Sequence, residues 1–168
     1  MRLGTTSYIY PADIITNVRK LAGSVQDIEL VLFEADDENN LPDKHVIREL
    51  KRIASDNDMS YTVHLPLDLK LAADKSAASI RKALRVIRST VELAPIGFIV
   101  HLENENQNVG LDSERWLDNS VTSLEQLARE IGDPSIICVE NLENHSPSLL
   151  DLLTERAPVS CCADIGHL

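Results

Sequence analysis

No apolar stretch in the 168 residues approaches the roughly 20 that a membrane helix needs. The start, MRLGTTSYIYP, lacks the charged and apolar regions of a signal peptide, so the expected compartment is the cytoplasm and no membrane partner is expected. Positive charge is scarce: 16 Lys and Arg stand against 27 Asp and Glu, for a net charge of −11. A duplex binder needs several cations facing phosphates, and no basic stripe exists, which argues against nucleic acid. The densest basic stretch, residues 75–88, spaces its charges like the wet face of a helix. Cysteine is also sparse. The three thiols, Cys138, Cys161 and Cys162, sit in apolar runs without CxxC-type spacing, so buried reduced cysteines are expected rather than a disulfide frame or a Cys-rich zinc site.

What is present is a repeat of short apolar runs and longer amphipathic ones. Strands are expected over residues 2–6, 28–33, 61–65, 97–102, 135–139 and 159–163. Helices are expected over residues 12–21, 43–55, 76–93 and 113–131, with a short one opening at Ser146-Pro147. Gly23 marks the end of the first helix, and Gly132-Asp133-Pro134 ends the fourth. Ser146 is placed to cap the fifth helix and Pro147 to occupy its first turn. The strand runs look nearly continuous in apolar residues, as in parallel strands covered on both faces. Two architectures fit five βα units plus a sixth strand: an open doubly wound sheet, or part of a (β/α)8 barrel. Length alone favours the open sheet, because a complete barrel takes about 250 residues.

The strand ends tip the choice to the barrel. The second run ends near Glu34, the third at His64, the fourth at His101, the fifth at Glu140, and the sixth at Asp164, with His167 three residues on. Parallel strands bring such ends to one face, and three imidazoles with carboxylates make a nitrogen/oxygen donor set for zinc, manganese or iron. Taken singly, each has a plainer reading as a satisfied core or solvated residue; the combination is more specific than its parts. His45 and His145 read as surface residues. Arg115 and Trp116 belong to the fourth helix, with Trp116 packing on the sheet. The loop ENENQNVG after the fourth strand is either solvated or faces a substrate with its amides.

VHLPLDLKLA, FIVHLEN, CVEN and CCADIGHL, in that order, resemble successive strands of the xylose-isomerase-like TIM-barrel superfamily, which holds endonuclease IV, sugar isomerases and epimerases, and metal hydrolases. RLGTTSY is similar to its first strand, and LGTTSYIYPADIITNV with VHLPLDL is similar to the cobamide-remodelling phosphodiesterase group. The resemblance implies one α/β domain over residues 1–168, the first five βα units and strand six of a barrel, helices outside only. Strands seven and eight would carry further ligands, so the chain is expected to be the front part of a larger protein. Its metal site would then be incomplete and the piece by itself inactive.

The resemblance further implies one to three divalent ions (zinc, manganese or iron) in the whole protein. His64, His101, Glu140, Asp164 and His167 are the implied ligands, with Glu140 central. Glu140, His64 and His101 are the expected catalytic groups, and Glu34, Asn141 and Tyr8 stand on the substrate side. The implied activity is metal-dependent hydrolysis of a phosphodiester, a corrinoid one first. The alternatives are a sugar-phosphate isomerase or epimerase, an abasic-site endonuclease disfavoured by the charge, and a ligand-binding barrel without catalysis. A small-molecule substrate is expected, and so is self-association through the open side of the barrel, where edge strands would expose unpaired backbone groups.

Overall fold

The computed structural model describes residues 2–32, 41–103, 111–143 and 145–167. Six strands form one parallel sheet in sequential order: β1 (Gly4–Thr6), β2 (Asp27–Val31), β3 (Ser60–His64), β4 (Gly97–Val100), β5 (Ile137–Glu140) and β6 (Ser160–Cys162). Five helices connect them: α1 (Ile14–Leu21), α2 (Lys44–Asp56), α3 (Ala77–Thr90), α4 (Leu111–Ile131) and α5 (Pro147–Arg156). The expected βα repeat is thus the observed one, with element ends shifted by a few residues. The apolar run expected at residues 76–93 divides into α3 and a 3₁₀ turn, Val91–Leu93, and the fifth strand begins only after a 3₁₀ turn at Pro134–Ile136.

Local chemistry explains where helices begin. The Asp13 carboxylate accepts from Thr16 N at 2.9 Å, and the Asp43 carboxylate accepts from His45 N at 2.7 Å and Val46 N at 2.8 Å, each supplying acceptors that a first helical turn lacks. Gly23 follows α1 with φ of 82°, a left-handed conformation that a Cβ would strain. Ser146 departs from expectation: it occupies the N-cap of α5, but its hydroxyl pairs with Ser148 Oγ at 3.0 Å and caps no helical N–H.

The two faces of the sheet differ, which corrects the expectation of strands apolar on both sides. Ile28, Leu30, Tyr61, Val63, Phe98, Val100, Ile137 and Val139 are buried in one core with Ile47, Leu50 and Ile53 of α2, Ile80, Val86 and Ile87 of α3, Leu124 and Leu127 of α4, and Leu153 of α5. Alternate positions carry Asp27, Glu29, Ser60, Thr62 and His64, because a strand turns successive side chains to opposite faces. Asp27 keeps its carboxylate inside by accepting from Ser60 Oγ at 2.5 Å and from Thr62 Oγ1. At Gly97 on β4 a Cβ would meet Thr62 Cγ2 at 3.1 Å and Cys138 Sγ at 3.2 Å, so a side chain here would force those neighbours to shift.

Helices pack in sequence, α1 on α2, α3 on α4 and α4 on α5, on the apolar face. Tyr61 O–H donates to the Leu50 carbonyl at 2.8 Å, and Ser123 O–H to the Leu71 carbonyl at 2.6 Å, tying this layer to β3 and the segment after it. Among the described residues no helix is long and apolar enough to cross a membrane. Of the cysteines, Cys138 and Cys162 are half-buried, but Cys161 is exposed, contrary to expectation: it lies on β6, which among the described residues pairs only with β5.

Candidate metal centre

The polar face ends, at the carboxyl ends of the strands, in a cavity of about 500 Å³. Thr6, Tyr8, Glu29 and Val31 line it together with His64, His101, Glu140, Cys162, Asp164 and His167. Strand register explains the grouping. Val31 stands beside His64, and Glu140 beside Cys162, so side chains two residues apart on each strand stack towards one opening.

Glu140 is the centre of the donor set. Its Oε2 lies 3.2 Å from His101 Nε2 and 3.4 Å from His64 Nε2, while its Oε1 lies 3.6 Å from His167 Nε2. The His64 and His101 rings meet edge to face, with centroids 4.9 Å apart. Two donor groups result, each with its ligand atoms within 4.8 Å of one another: His64, His101 and Glu140, and Glu140, Asp164 and His167. Burial opposes charge on Glu140, but hydrogen bonds from His101 and His64 outweigh it and hold the carboxyl far below the usual carboxylate range. Burial likewise opposes a charged His64, yet Glu140 and the Leu65 carbonyl raise its proton affinity.

The residues around the donors orient them. His64 Nδ1–H donates to the Leu65 carbonyl at 2.6 Å, which turns Nε2 towards Glu140. His167 Nδ1 lies 2.8 Å from the Glu143 carboxylate, turning its Nε2 the same way. Asn141 clamps the segment after β6: its Nδ2 donates to the Asp164 carbonyl at 2.9 Å, and its Oδ1 accepts from Asp164 N at 2.7 Å. Asp164 in turn accepts from Gly166 N at 2.6 Å, holding the 3₁₀ turn Ile165–His167. Imidazoles with a fixed tautomer and carboxylates at this spacing fit a divalent cation.

The structure brings together His64, His101, Glu140, Asp164 and His167. Tyr8 lies on the cavity rim, largely exposed, and Asn141 has its amide on the Asp164 backbone. Glu34 and residues 104–110 of the ENENQNVG loop lie outside the described residues. Three participants escaped the sequence reading. Glu29, inside an apolar run, faces the cavity, and its position two residues after Asp27 was the available signal. Glu143 orients His167 from an exposed loop position that no pattern marks. His145, read as a surface residue, is half-buried: its Nε2–H donates to the Leu102 carbonyl at 2.8 Å and its ring meets Trp116 edge-on at 5.6 Å. Burial lowers its proton affinity. Trp116 itself is buried and donates to the Glu103 carbonyl at 3.2 Å, so two rings hold the backbone just after His101. His45 is exposed, as expected.

No family model and no curated protein matches the sequence. Solved structures do match. A D-tagatose 3-epimerase-like protein superposes with a TM-score of 0.75 at 18% identity, over 99% of this chain and 66% of its own. A D-psicose 3-epimerase solved in the presence of D-fructose gives 0.73 at 19% identity, over 99% and 64%. Endonuclease IV from Thermus thermophilus gives 0.70 at 16% identity, over 99% and 64%. The chain thus spans about two thirds of the length of these structures. It has, over that span, the fold of the xylose-isomerase-like TIM barrels, with six parallel strands in barrel order.

Proposed function

We propose that the chain is part of a divalent-metal-dependent hydrolase of phosphodiesters. The observation that carries this reading is the placement of Glu140, whose two oxygens serve two separate donor groups. One carboxylate shared in this way suits a pair of ions, and nitrogen/oxygen donors suit zinc, manganese or iron. Divalent ions bound there would supply Lewis acidity towards a phosphoryl oxygen.

Charge points the same way. No Lys or Arg lines the cavity among the described residues. One dication is offset by Glu140 and Asp164 alone; a second leaves positive charge for an anionic phosphodiester. In this reading His64, His101 and Glu140 hold one position, and Glu140, Asp164 and His167 the other. Asn141 and Glu143 fix the second set, and Tyr8 borders the entrance beside the substrate. A corrinoid phosphodiester is the substrate towards which the sequence resemblance leads. The charge of −11 disfavours an abasic-site nuclease. Self-association through β1 and β6, each paired on one side only among the described residues, belongs to the same proposal, as does a cytoplasmic location.

A second reading is a sugar isomerase or epimerase, favoured by the likeness to the two epimerase structures. Glu140 and Asp164 would then hold a single ion, and the histidines would bind substrate. The metal-loaded whole protein, incubated with bis(p-nitrophenyl) phosphate, corrinoid phosphodiesters, abasic-site DNA and keto-sugars, separates the readings. Cleavage of the small phosphodiesters, abolished by Glu140→Gln, is expected; epimerisation of a keto-sugar without phosphodiester cleavage overturns the proposal.

A further inference from the structure

His64 and Glu140 lie inside the parallel ladder: His64 pairs with Val31 on one side and Ile99 on the other, and Glu140 pairs with Cys162. His101 does not. The pairing of β4 stops at Ile99 towards β3 and at Val100 towards β5, so His101 is the first residue past it. The next two carbonyls are held by side chains from elsewhere in the fold. The Leu102 carbonyl accepts from His145 Nε2–H at 2.8 Å, and the Glu103 carbonyl accepts from Trp116 Nε1–H at 3.2 Å. Leu102 is fully buried, so its carbonyl has no water to fall back on. His145 Nδ1 is buried without a partner among the described residues, which makes the Leu102 bond the one its ring forms there. The His145 ring is itself seated, by its edge-on contact with Trp116 at 5.6 Å and by its own N–H, which donates to the Leu142 carbonyl at 2.9 Å.

We infer that His145 and Trp116 are positioning residues for His101, a pair of rings that fixes the end of β4 through its backbone; this rests on the metal positions proposed above. A metal-ligating imidazole is commonly oriented by a partner on its other ring nitrogen. His64 and His167 follow that rule, through the Leu65 carbonyl and the Glu143 carboxylate. His101 has no such partner among the described residues, and its chain is held instead at two consecutive carbonyls. Holding them sets where the His101 backbone stands, and so brings its Nε2 to 3.2 Å from Glu140 Oε2. His145 belongs to the segment that follows Glu140, so the bond to Leu102 ties His101 to the strand that carries its fellow donor. Neither ring lines the cavity, which leaves them to act through His101 and not on a substrate.

Calorimetric titration of the whole protein with Mn²⁺, resolved by donor group, is the test. His145→Leu keeps apolar bulk against Trp116 and removes one donor; Trp116→Phe keeps a ring and removes the other. Each is expected to lower affinity at the His64, His101 and Glu140 group about 10- to 100-fold and to leave the Glu140, Asp164 and His167 group unchanged. His145→Gln supplies an amide N–H for the same carbonyl and should restore most of the affinity, a rescue that lost packing alone does not give. Unchanged affinity at the first group, equal falls at both groups, or no rescue by Gln overturns the assignment and leaves the metal centre standing. If the unsubstituted whole protein binds no Mn²⁺ at His64, His101 and Glu140, the metal centre itself falls and this assignment with it.

Discussion

Replacing Asn141 by Ala should loosen one donor group and spare the other. The side chain makes two hydrogen bonds, at 2.9 and 2.7 Å, both to the backbone of Asp164. Its own N–H, bonded to the Cys162 carbonyl at 3.2 Å, survives the substitution. A neutral hydrogen bond contributes about 0.5–1.5 kcal/mol net, so two give about 1–3 kcal/mol. Asp164 is half-exposed and water can replace part of the loss, which places the expected cost at about 1–2 kcal/mol. For a chain of 168 residues this lowers Tm by roughly 2–8 °C. The turn carrying Asp164 and His167 keeps its internal bond to Gly166 and so moves as a unit. Affinity at the Glu140, Asp164 and His167 group should therefore fall about 10- to 100-fold, as for other orienting partners of metal ligands. His64, His101 and Glu140 are positioned by β3, β4 and β5 and should bind as before. Calorimetric titration with Mn²⁺ resolves the two classes. Unchanged affinity in both, or an equal fall in both, refutes the reasoning. Asn141→Asp should be worse than Ala, because a carboxylate oxygen then faces the Asp164 carbonyl.

Stability of the metal-free protein should fall on either side of a middle pH range. Glu140 has a depressed proton affinity, so its contribution is complete above about pH 4.3 and lost as pH falls; His64 has a raised one, so its contribution is complete below about pH 6.5 and lost as pH rises. Scanning calorimetry against pH measures this, and a profile flat through both limbs contradicts it. Gly97→Ala should cost about 1–3 kcal/mol, because Thr62 and Cys138 must give way; chemical denaturation reads it out. His145→Ala should weaken metal binding at His101 more than at His167, since it frees the Leu102 carbonyl beside His101 alone. Cys161 should react with a thiol reagent well before Cys162, whose thiol is half-buried and pushed up to about 11, first by burial and then by Glu140.

The fold was legible because its signal is periodic: apolar runs separated by amphipathic ones give βα units and a parallel sheet whatever the details. His64, His101, Glu140 and Asp164 were legible for a related reason, as polar residues where an apolar run stops. Glu29 was not, because one carboxylate within IELVLF looks like a strand's passing exception; only the phase it shares with Asp27 assigns it to the polar face. Glu143 and His145 were beyond reach. What covers a loop residue is decided by elements distant in sequence, here Trp116 of α4 for His145 and the turn after β6 for Glu143. The exposure of Cys161 is of the same kind, since VSCCAD alone does not say how a sheet ends.

The central claim is that Glu140 joins two metal positions. Electron paramagnetic resonance of the whole protein titrated with Mn²⁺ tests it most directly. The account predicts two ions per chain with the spectrum of an exchange-coupled pair, and loss of the coupling in Glu140→Gln. A spectrum of isolated ions at saturation, unchanged by Glu140→Gln, would contradict it.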